Sequence, residues 1–239
     1  MLKVNLPHYT IDGKTILETL SFTLHKSQNL TVLGSNGAGK STLAKILCGL
    51  YKTQKAVQLD GAYIETIPPR ERSALINYIP PKLQIYEQYI TVEAFLGLSR
   101  FQGTKRETYL HEVLDLLGLS AFAKNYCTQL SSGEQQLLLI ASALMHGAKT
   151  TIFDEPTANL DPRKIKTVYD ILQSERLSQK IVITHDLQLA YRLGYPILYI
   201  KAGRGKLYET AEMFFDTQNL EKIFDGSVKK ACDAIVVQL

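Results

Sequence analysis

The chain has 239 residues, a formal net charge of +4, 45% hydrophobic residues and 21% charged residues. This mixture is typical of a globular domain and excludes a disordered, collagen-like or coiled-coil chain, and the small charge gives no reason to expect a nucleic-acid partner. Three separated cysteines without a CxxC pair argue against a disulfide framework or a zinc ribbon, and the hydropathy pattern indicates neither a signal peptide nor a membrane span.

Hydrophobic periodicity predicts strands and one helix in the first third of the chain. A strand at 30–33 runs directly into a glycine-rich loop, and the helix after this loop carries one apolar stripe. The strand candidates are residues 2–24 around a turn at Asp12-Gly13, 30–33, 56–59 and 74–79, and the helical stripe is Leu43, Ile46, Leu47 and Leu50.

From about residue 91 to residue 147 the pattern predicts helices alone, and strands return afterwards. Because strands then alternate with helices, we predict an α/β fold with a largely parallel sheet. The helical stripes are Leu110, Val113, Leu114 and Leu117 before Gly118, then Leu137, Ile140, Ala141 and Leu144 before Gly147, then Ile165, Val168, Tyr169 and Leu172; the later strands are 150–154, 181–184, 197–201 and 234–237.

Residues 34–41 match the pattern G-x-x-x-x-G-K-[ST] between a predicted strand and a predicted helix. Glycines let backbone N–H groups converge on a polyphosphate, and the helix N-terminus adds partial positive charge there. Lys40 is expected to act as a point charge for the β- and γ-phosphates, and the Ser41 hydroxyl to bind Mg²⁺. The predicted phosphate-binding residues are Gly34, Ser35, Asn36, Gly37, Ala38, Gly39, Lys40, Ser41 and Thr42.

Two adjacent carboxylates, Asp154 and Glu155, end the strand at 150–154. Because successive side chains of a strand point to opposite sides, one carboxylate can bind a metal ion while the other faces an attacking water. This division suits ATP hydrolysis, with Asp154 as the metal residue and Glu155 as the general base.

Between these motifs, residues 130–136 read Leu-Ser-Ser-Gly-Glu-Gln-Gln directly before a helix, which resembles the signature motif of ATP-binding cassette (ABC) ATPases. The resemblance extends over the whole chain. Asp161 ends a stretch that is similar to the family's D-loop. His185 has the position of the family's switch histidine. Tyr9 has the position of the aromatic residue that stacks on adenine. Taken alone, His185 could equally be a core or capping histidine, and Tyr9 a surface aromatic of a sheet.

The resemblance implies that Ser131 and Gly133 contact the nucleotide bound by a second copy of the chain, so that two ATP molecules lie between two head-to-tail copies. An N-cap at Ser131 with Glu134 three residues later is a local alternative, a capping box, and both roles can coexist. The resemblance further implies a P-loop core at 1–81 and 148–239, with helices on both sheet faces and an antiparallel β subdomain. Residues 82–147 would form an inserted α-helical subdomain that carries the signature.

Three positions depart from the family pattern. The usual glutamine that contacts Mg²⁺ is Pro81 here, and Gln84 could replace it only if the loop is re-formed. The signature contains Ser132 where a glycine is usual and Glu134 where a glutamine is usual.

The absence of visible membrane spans favours a separate ATPase subunit at the cytoplasmic face of the membrane. Its implied partners are integral-membrane permease subunits and an extracytoplasmic solute-binding protein. The stretch from Thr91 to Arg100 resembles ATPase subunits of iron-siderophore, haem and cobalamin importers, although it is also a sequence that opens a helix. The alternatives are another solute, an exporter with separate membrane subunits, or a soluble regulatory ABC ATPase.

Overall fold

The computed structural model describes residues 1–99, 107–232 and 234–237. The chain divides into two compact units, one formed by residues 1–67 with 181–239 and the other by residues 68–180. Within the described ranges, every helix is too short or too polar to cross a lipid bilayer. Arg100, which belongs to the stretch compared with iron-chelate importers, lies outside these ranges.

Residues 1–67 are mostly strands because apolar and polar side chains alternate along them, as in the first strand, where the residues are buried and exposed in turn. The elements are β1 (Leu2–Leu6), β2 (Tyr9–Ile11), β3 (Lys14–Leu17), β4 (Leu20–Leu24), β5 (Leu30–Gly34), α1 (Lys40–Leu47), β6 (Val57–Leu59), β7 (Ala62–Tyr63) and a 3₁₀ turn at Ile64–Thr66.

Residues 68–180 contain the longest described helix, which ends at Gly147 in the left-handed conformation that glycine accepts at low cost. The elements are α2 (Pro69–Leu75), β8 (Ile76–Ile79), α3 (Val92–Leu98), α4 (Glu107–Leu116), 3₁₀ turns at Ser120–Phe122 and Cys127–Gln129, α5 (Ser132–His146), β9 (Thr150–Asp154), α6 (Pro162–Gln173) and β10 (Gln179–Thr184), which continues into the other unit.

The last part of the chain returns to short alternating elements. These are α7 (Leu187–Leu193), β11 (Ile197–Lys201), β12 (Arg204–Tyr208), α8 (Ala211–Phe214), α9 (Thr217–Phe224), β13 (Val228–Ala231) and β14 (Ala234–Val237). Phe214 and Phe215 are almost fully buried and meet edge to face, with ring centroids 4.9 Å apart. They belong to a core that includes residues of α7, β11 and α9, and large aromatic rings such as these bury much apolar surface.

In the first unit, β5 pairs in parallel with both β10 and β11, and β12 adds an antiparallel strand beside β11. A separate antiparallel sheet has the order β4-β1-β6-β7. In the second unit, β8 and β9 pair in parallel. The predicted α/β class, with a mostly parallel sheet and additional antiparallel strands, is confirmed.

Two sequence-based boundaries are wrong. Helix α1 ends at Leu47, and Gly49 adopts a φ of 66°, so Leu50 leaves the predicted stripe and is 58% exposed. Pro69 opens α2, which runs to Leu75, so the strand expected from residue 74 begins only at Ile76. A proline at the first helical position favours the helix there.

Candidate active site

The glycine-rich loop forms a tight turn between β5 and α1. A β-carbon on Gly34 would lie 2.3 Å from the carbonyl oxygen of Ile200, so only glycine fits where the strand ends. Gly39 has a φ of 101°, and a β-carbon there would lie 2.7 Å from Leu17 Cδ2. Gly34 is therefore required for packing, and Gly39 for its positive φ.

Lys40 lies at the start of α1 and is only 7% exposed. Its ammonium donates to the carbonyl oxygens of Gly34 (2.7 Å) and Ser35 (3.1 Å). Among the described residues, no side chain caps the N-terminus of α1, and the first turn of this helix contains no acidic residue. A buried cation next to an uncapped helix N-terminus is the chemistry that binds phosphate.

His185 follows β10 and lies at the same sheet edge as the loop. Leu33 pairs with Thr184 in parallel register. The residues that follow this pair along the chain are Gly34, at the end of β5, and His185, directly after β10. His185 is exposed, and Asp186 after it caps α7 by accepting from the N–H groups of Gln188 and Leu189. Ligands of parallel sheets bind at this carboxyl edge.

The ring of Tyr9 stacks on Tyr51, with centroids 5.9 Å apart and planes inclined by 10°. The Lys45 ammonium lies 5.4 Å from the centre of the Tyr51 ring. Sequence reasoning missed Tyr51, because nothing in its local pattern indicates a pairing with Tyr9. One face of the Tyr9 ring therefore stacks against another aromatic ring. Such a pair can support a further planar ring that stacks on Tyr9.

In the second unit, Asp154 ends β9 and is 1% exposed. Its Oδ2 accepts a hydrogen bond from the Tyr78 hydroxyl at 2.9 Å. Sequence reasoning missed Tyr78. Its position two residues after the start of β8 gave no indication of a carboxylate partner far away in the chain.

Glu155 adopts a φ of 52°, which is uncommon for a residue other than glycine. Its carbonyl oxygen accepts from the Gln136 side-chain amide at 3.3 Å and from the Ala158 N–H at 3.1 Å. Left-handed backbone of this kind occurs often at active sites, where the surrounding contacts maintain it. The turn therefore holds the backbone of Glu155 in place just after the end of β9.

The predicted capping box at the start of α5 is present. Ser131 accepts from the Glu134 N–H, and the Glu134 carboxylate accepts from the N–H (2.8 Å) and hydroxyl (2.7 Å) of Ser131. These hydrogen bonds lower the pKa of Glu134, with a smaller contribution from the Lys164 ammonium. Ser131 remains exposed.

Gly133 is buried against the stretch that precedes α6. A β-carbon there would contact the Asn159 carbonyl oxygen and the Lys164 Nζ, each at 3.4 Å. Asp161 caps α6 by accepting from two backbone N–H groups, and the bond from Lys164 contributes most to lowering the Asp161 pKa. The helix tip at Ser131 and Gly133 thus lies beside Lys164, a cation that sequence reasoning missed.

A cavity of about 250 Å³ lies next to β8 in the second unit. Tyr78 and Gln84 contribute to its lining, and Gln84 also accepts from the Tyr86 hydroxyl at 3.0 Å. The complete lining is Asn77, Tyr78, Ile79, Pro80, Leu83, Gln84, Phe95, Ser99, Leu139, Ser142 and His146.

The predicted residues fall into two groups. The first unit contains the loop 34–42, Tyr9 and His185, and the second unit contains Ser131, Gly133, Asp154, Glu155 and Asp161. The Ser41 hydroxyl in the first unit and the Asp154 carboxylate in the second are each hard oxygen groups of the kind that Mg²⁺ prefers.

Comparison with known proteins agrees with these features. A family model described as "ABC transporter" matches residues 17–158. An ABC transporter ATP-binding protein of Pyrococcus horikoshii is 32% identical over 86% of this chain and 81% of its own length. The ribose import ATP-binding protein RbsA of Shouchella clausii is 33% identical over 92% of this chain, which spans 45% of that protein. The structure of CbiO1 from Clostridium perfringens, part of the ABC transporter complex CbiONQ, has a TM-score of 0.75 and 23% identity, and the match covers 94% of each chain.

Proposed function

The chain belongs to the ABC transporter family as an ATP-binding and ATP-hydrolysing protein, and from that premise we propose that it powers a membrane importer of an iron chelate, haem or cobalamin. The observation that carries the nucleotide part of this proposal is the loop at 34–42, with its required glycines and the buried Lys40.

Each residue of the first unit has a distinct task toward ATP. The loop N–H groups and the N-terminus of α1 bind the phosphates, and Lys40 exchanges its carbonyl partners for phosphate oxygens. Tyr9, supported on one face by Tyr51, stacks on adenine. His185 acts at the γ-phosphate, since it leaves the same sheet edge as the loop.

Hydrolysis depends on the two carboxylates of the second unit. Glu155 accepts the proton of the attacking water, and its left-handed backbone sets the direction of its side chain. Ser41 and Asp154 would be the residues that hold Mg²⁺, and the metal would supply positive charge against the charge that develops on the transferring phosphoryl group.

We further propose that the working unit is a head-to-tail dimer. The tip of α5 is an N-terminal end that carries Ser131 and Gly133 beside the Lys164 ammonium, and these groups suit an anionic partner. In the dimer, this tip closes over the nucleotide bound to the loop of the other copy, and Asp161 lies at the contact between copies.

In the proposed complex, the chain is bound at the cytoplasmic face of the membrane by permease subunits, and an extracytoplasmic binding protein delivers the solute to them. Residues 1–81 and 148–239 would act as the nucleotide-binding core, and 82–147 as the helical subdomain. The cavity beside Gln84 is the surface proposed for a short permease helix, which would transmit opening and closing as a rigid-body movement.

The solute class rests on the resemblance of the stretch from Thr91 to Arg100 to ATPase subunits of iron-siderophore, haem and cobalamin importers. Thr91 caps α3 by accepting from the Ala94 N–H at 3.2 Å, so this stretch also has a purely structural role. A relative named for ribose import favours another solute as the second candidate.

Uptake measurements test the proposal in cells that encode the chain. Replacing the gene by the Glu155→Gln variant should abolish uptake of one labelled solute among an iron siderophore, haem and cobalamin, because hydrolysis no longer resets the permease. Uptake of all three at the parental rate, with ribose uptake lost, would replace the proposed solute by the second candidate. Retention of every uptake activity, with no membrane protein copurifying, would contradict a transport role.

A further inference from the structure

We propose that Tyr78 is a positioning residue for Mg²⁺, because its hydroxyl holds the Asp154 carboxylate in the orientation that the metal requires. This inference rests on the proposed role of Asp154 as a metal ligand. Tyr78 is not proposed to touch the metal or the nucleotide.

The strand register explains how the two residues meet. Tyr78 on β8 lies directly opposite Ile152 on β9 in the parallel pair. Asp154 is two residues beyond Ile152, and side chains two apart on a strand lie on one face. The Tyr78 ring therefore points to the face that carries Asp154 and reaches one step along β9, which places its hydroxyl 2.9 Å from Oδ2.

Burial makes this hydrogen bond consequential. The Asp154 residue is 1% exposed, so water has little access to compete for its oxygens. A bond to a charged acceptor in such a setting is stronger than one between neutral groups and strongly directional. With Oδ2 held by Tyr78, the carboxylate plane is fixed, and Oδ1 is presented in a constant direction.

The chemistry of metal sites supports the same role. A metal-binding carboxylate is commonly oriented by a hydrogen bond from a neighbouring group, and loss of that neighbour weakens metal binding. Tyr78 is the described residue that supplies such a donor to Asp154 from the adjacent strand. Its ring also lines the cavity beside β8, so close packing does not surround it on every side.

The test compares Tyr78→Phe with a matched substitution, Tyr89→Phe. Both remove one hydroxyl from the same segment, but Tyr89 is exposed and its ring meets Tyr126 edge to face, with ring centroids 5.6 Å apart. The full-length chain is saturated with a non-hydrolysable ATP analogue, and Mn²⁺ affinity is measured by electron paramagnetic resonance. The Mg²⁺ concentration for half-maximal ATPase activity is measured in parallel.

We expect Tyr78→Phe to weaken Mn²⁺ binding about tenfold and to raise the Mg²⁺ requirement by a similar factor. Analogue binding without metal should stay unchanged, and Tyr89→Phe should match the parent in every measurement. A hydrogen bond that only stabilises the fold would lower the unfolding midpoint of Tyr78→Phe but leave Mn²⁺ affinity unchanged.

Asp154→Asn distinguishes the metal role of Asp154 from the positioning role of Tyr78. If Asp154→Asn loses Mn²⁺ binding and Tyr78→Phe keeps parental affinity, the positioning role is wrong and the metal assignment stands. If Asp154→Asn itself keeps parental Mn²⁺ affinity, the metal assignment fails, and the role of Tyr78 fails with it.

Discussion

Gln136 donates its side-chain amide to the main-chain carbonyl of Glu155 across 3.3 Å. Gln136 lies in the second turn of α5 and is 3% exposed, and Glu155 follows the last residue of β9. The contact therefore ties the helix whose tip carries Ser131 to the turn that carries the proposed general base. It also satisfies a buried amide, which would be costly to leave without a partner.

We predict that Gln136→Leu slows ATP hydrolysis severalfold without changing ATP affinity. The substitution keeps the side-chain size but removes the donor to Glu155, so the left-handed turn is held less firmly. The free energy of unfolding should fall by about 1 kcal/mol. Phosphate release, nucleotide titration and urea unfolding measure these three quantities.

The matched control is Gln135→Leu. Gln135 also donates its amide to a backbone carbonyl, that of Leu130 at 3.1 Å, but it does not contact Glu155. An equal loss of turnover in both variants would show that disturbing the first turns of α5 is enough, and that the Glu155 contact has no special role.

Lys40→Ala should weaken ATP binding by about tenfold or more, since hydrogen bonds from a charged donor contribute roughly 1.5–3 kcal/mol. Removing the side chain also leaves the carbonyl groups of Gly34 and Ser35 without the ammonium that they accept from. Lys52→Ala, an exposed lysine after α1, is the control. Parental ATP affinity in Lys40→Ala, measured by calorimetry, would contradict the assignment of the loop as the phosphate site.

His146 should make the fold less stable in mild acid. Burial lowers the pKa of His146 from its usual value of 6.5. As pH falls below 6.5, the unfolded chain therefore takes up a proton that the folded chain does not, and stability decreases by up to about 1.4 kcal/mol per pH unit until the folded pKa is reached. Above 6.5 both states are neutral and the contribution vanishes.

Urea unfolding at about pH 7.5 and about pH 5.5 measures this effect, because the lowered pKa values of Glu134, Asp161 and Glu212 act only below their usual values of 4.5, 3.8 and 4.5. His146→Gln should reduce the difference in stability between the two pH values. A variant with the full parental difference would assign the effect to other groups.

The phosphate loop is predictable from sequence because its determinants lie within a short stretch. The strand from Leu30, the glycines and Lys40 are neighbours in the chain, and backbone sterics alone favour their arrangement. The same holds for the capping box at Ser131, whose partners are three residues apart. Such local arrangements can be predicted because the residues that interact are close together in the sequence.

Contacts between distant segments are not predictable in this way. Tyr78 and Asp154 are 76 residues apart, and their hydrogen bond depends on the parallel register of β8 with β9. Tyr9 and Tyr51 likewise meet only through the folded structure. The end of α1 was missed for a different reason, because the apolar Leu50 fits the helical spacing while Gly49 ends the helix.

The most direct test of the two-copy nucleotide site is the mass of the Glu155→Gln variant in sedimentation equilibrium, with and without saturating Mg²⁺ and ATP. We predict the 26.8 kDa chain mass without nucleotide and twice that mass with it, because ATP that is bound but not hydrolysed keeps the tip at Ser131 closed over the loop of the other copy. A mass that stays at 26.8 kDa while ATP is demonstrably bound would contradict the shared site.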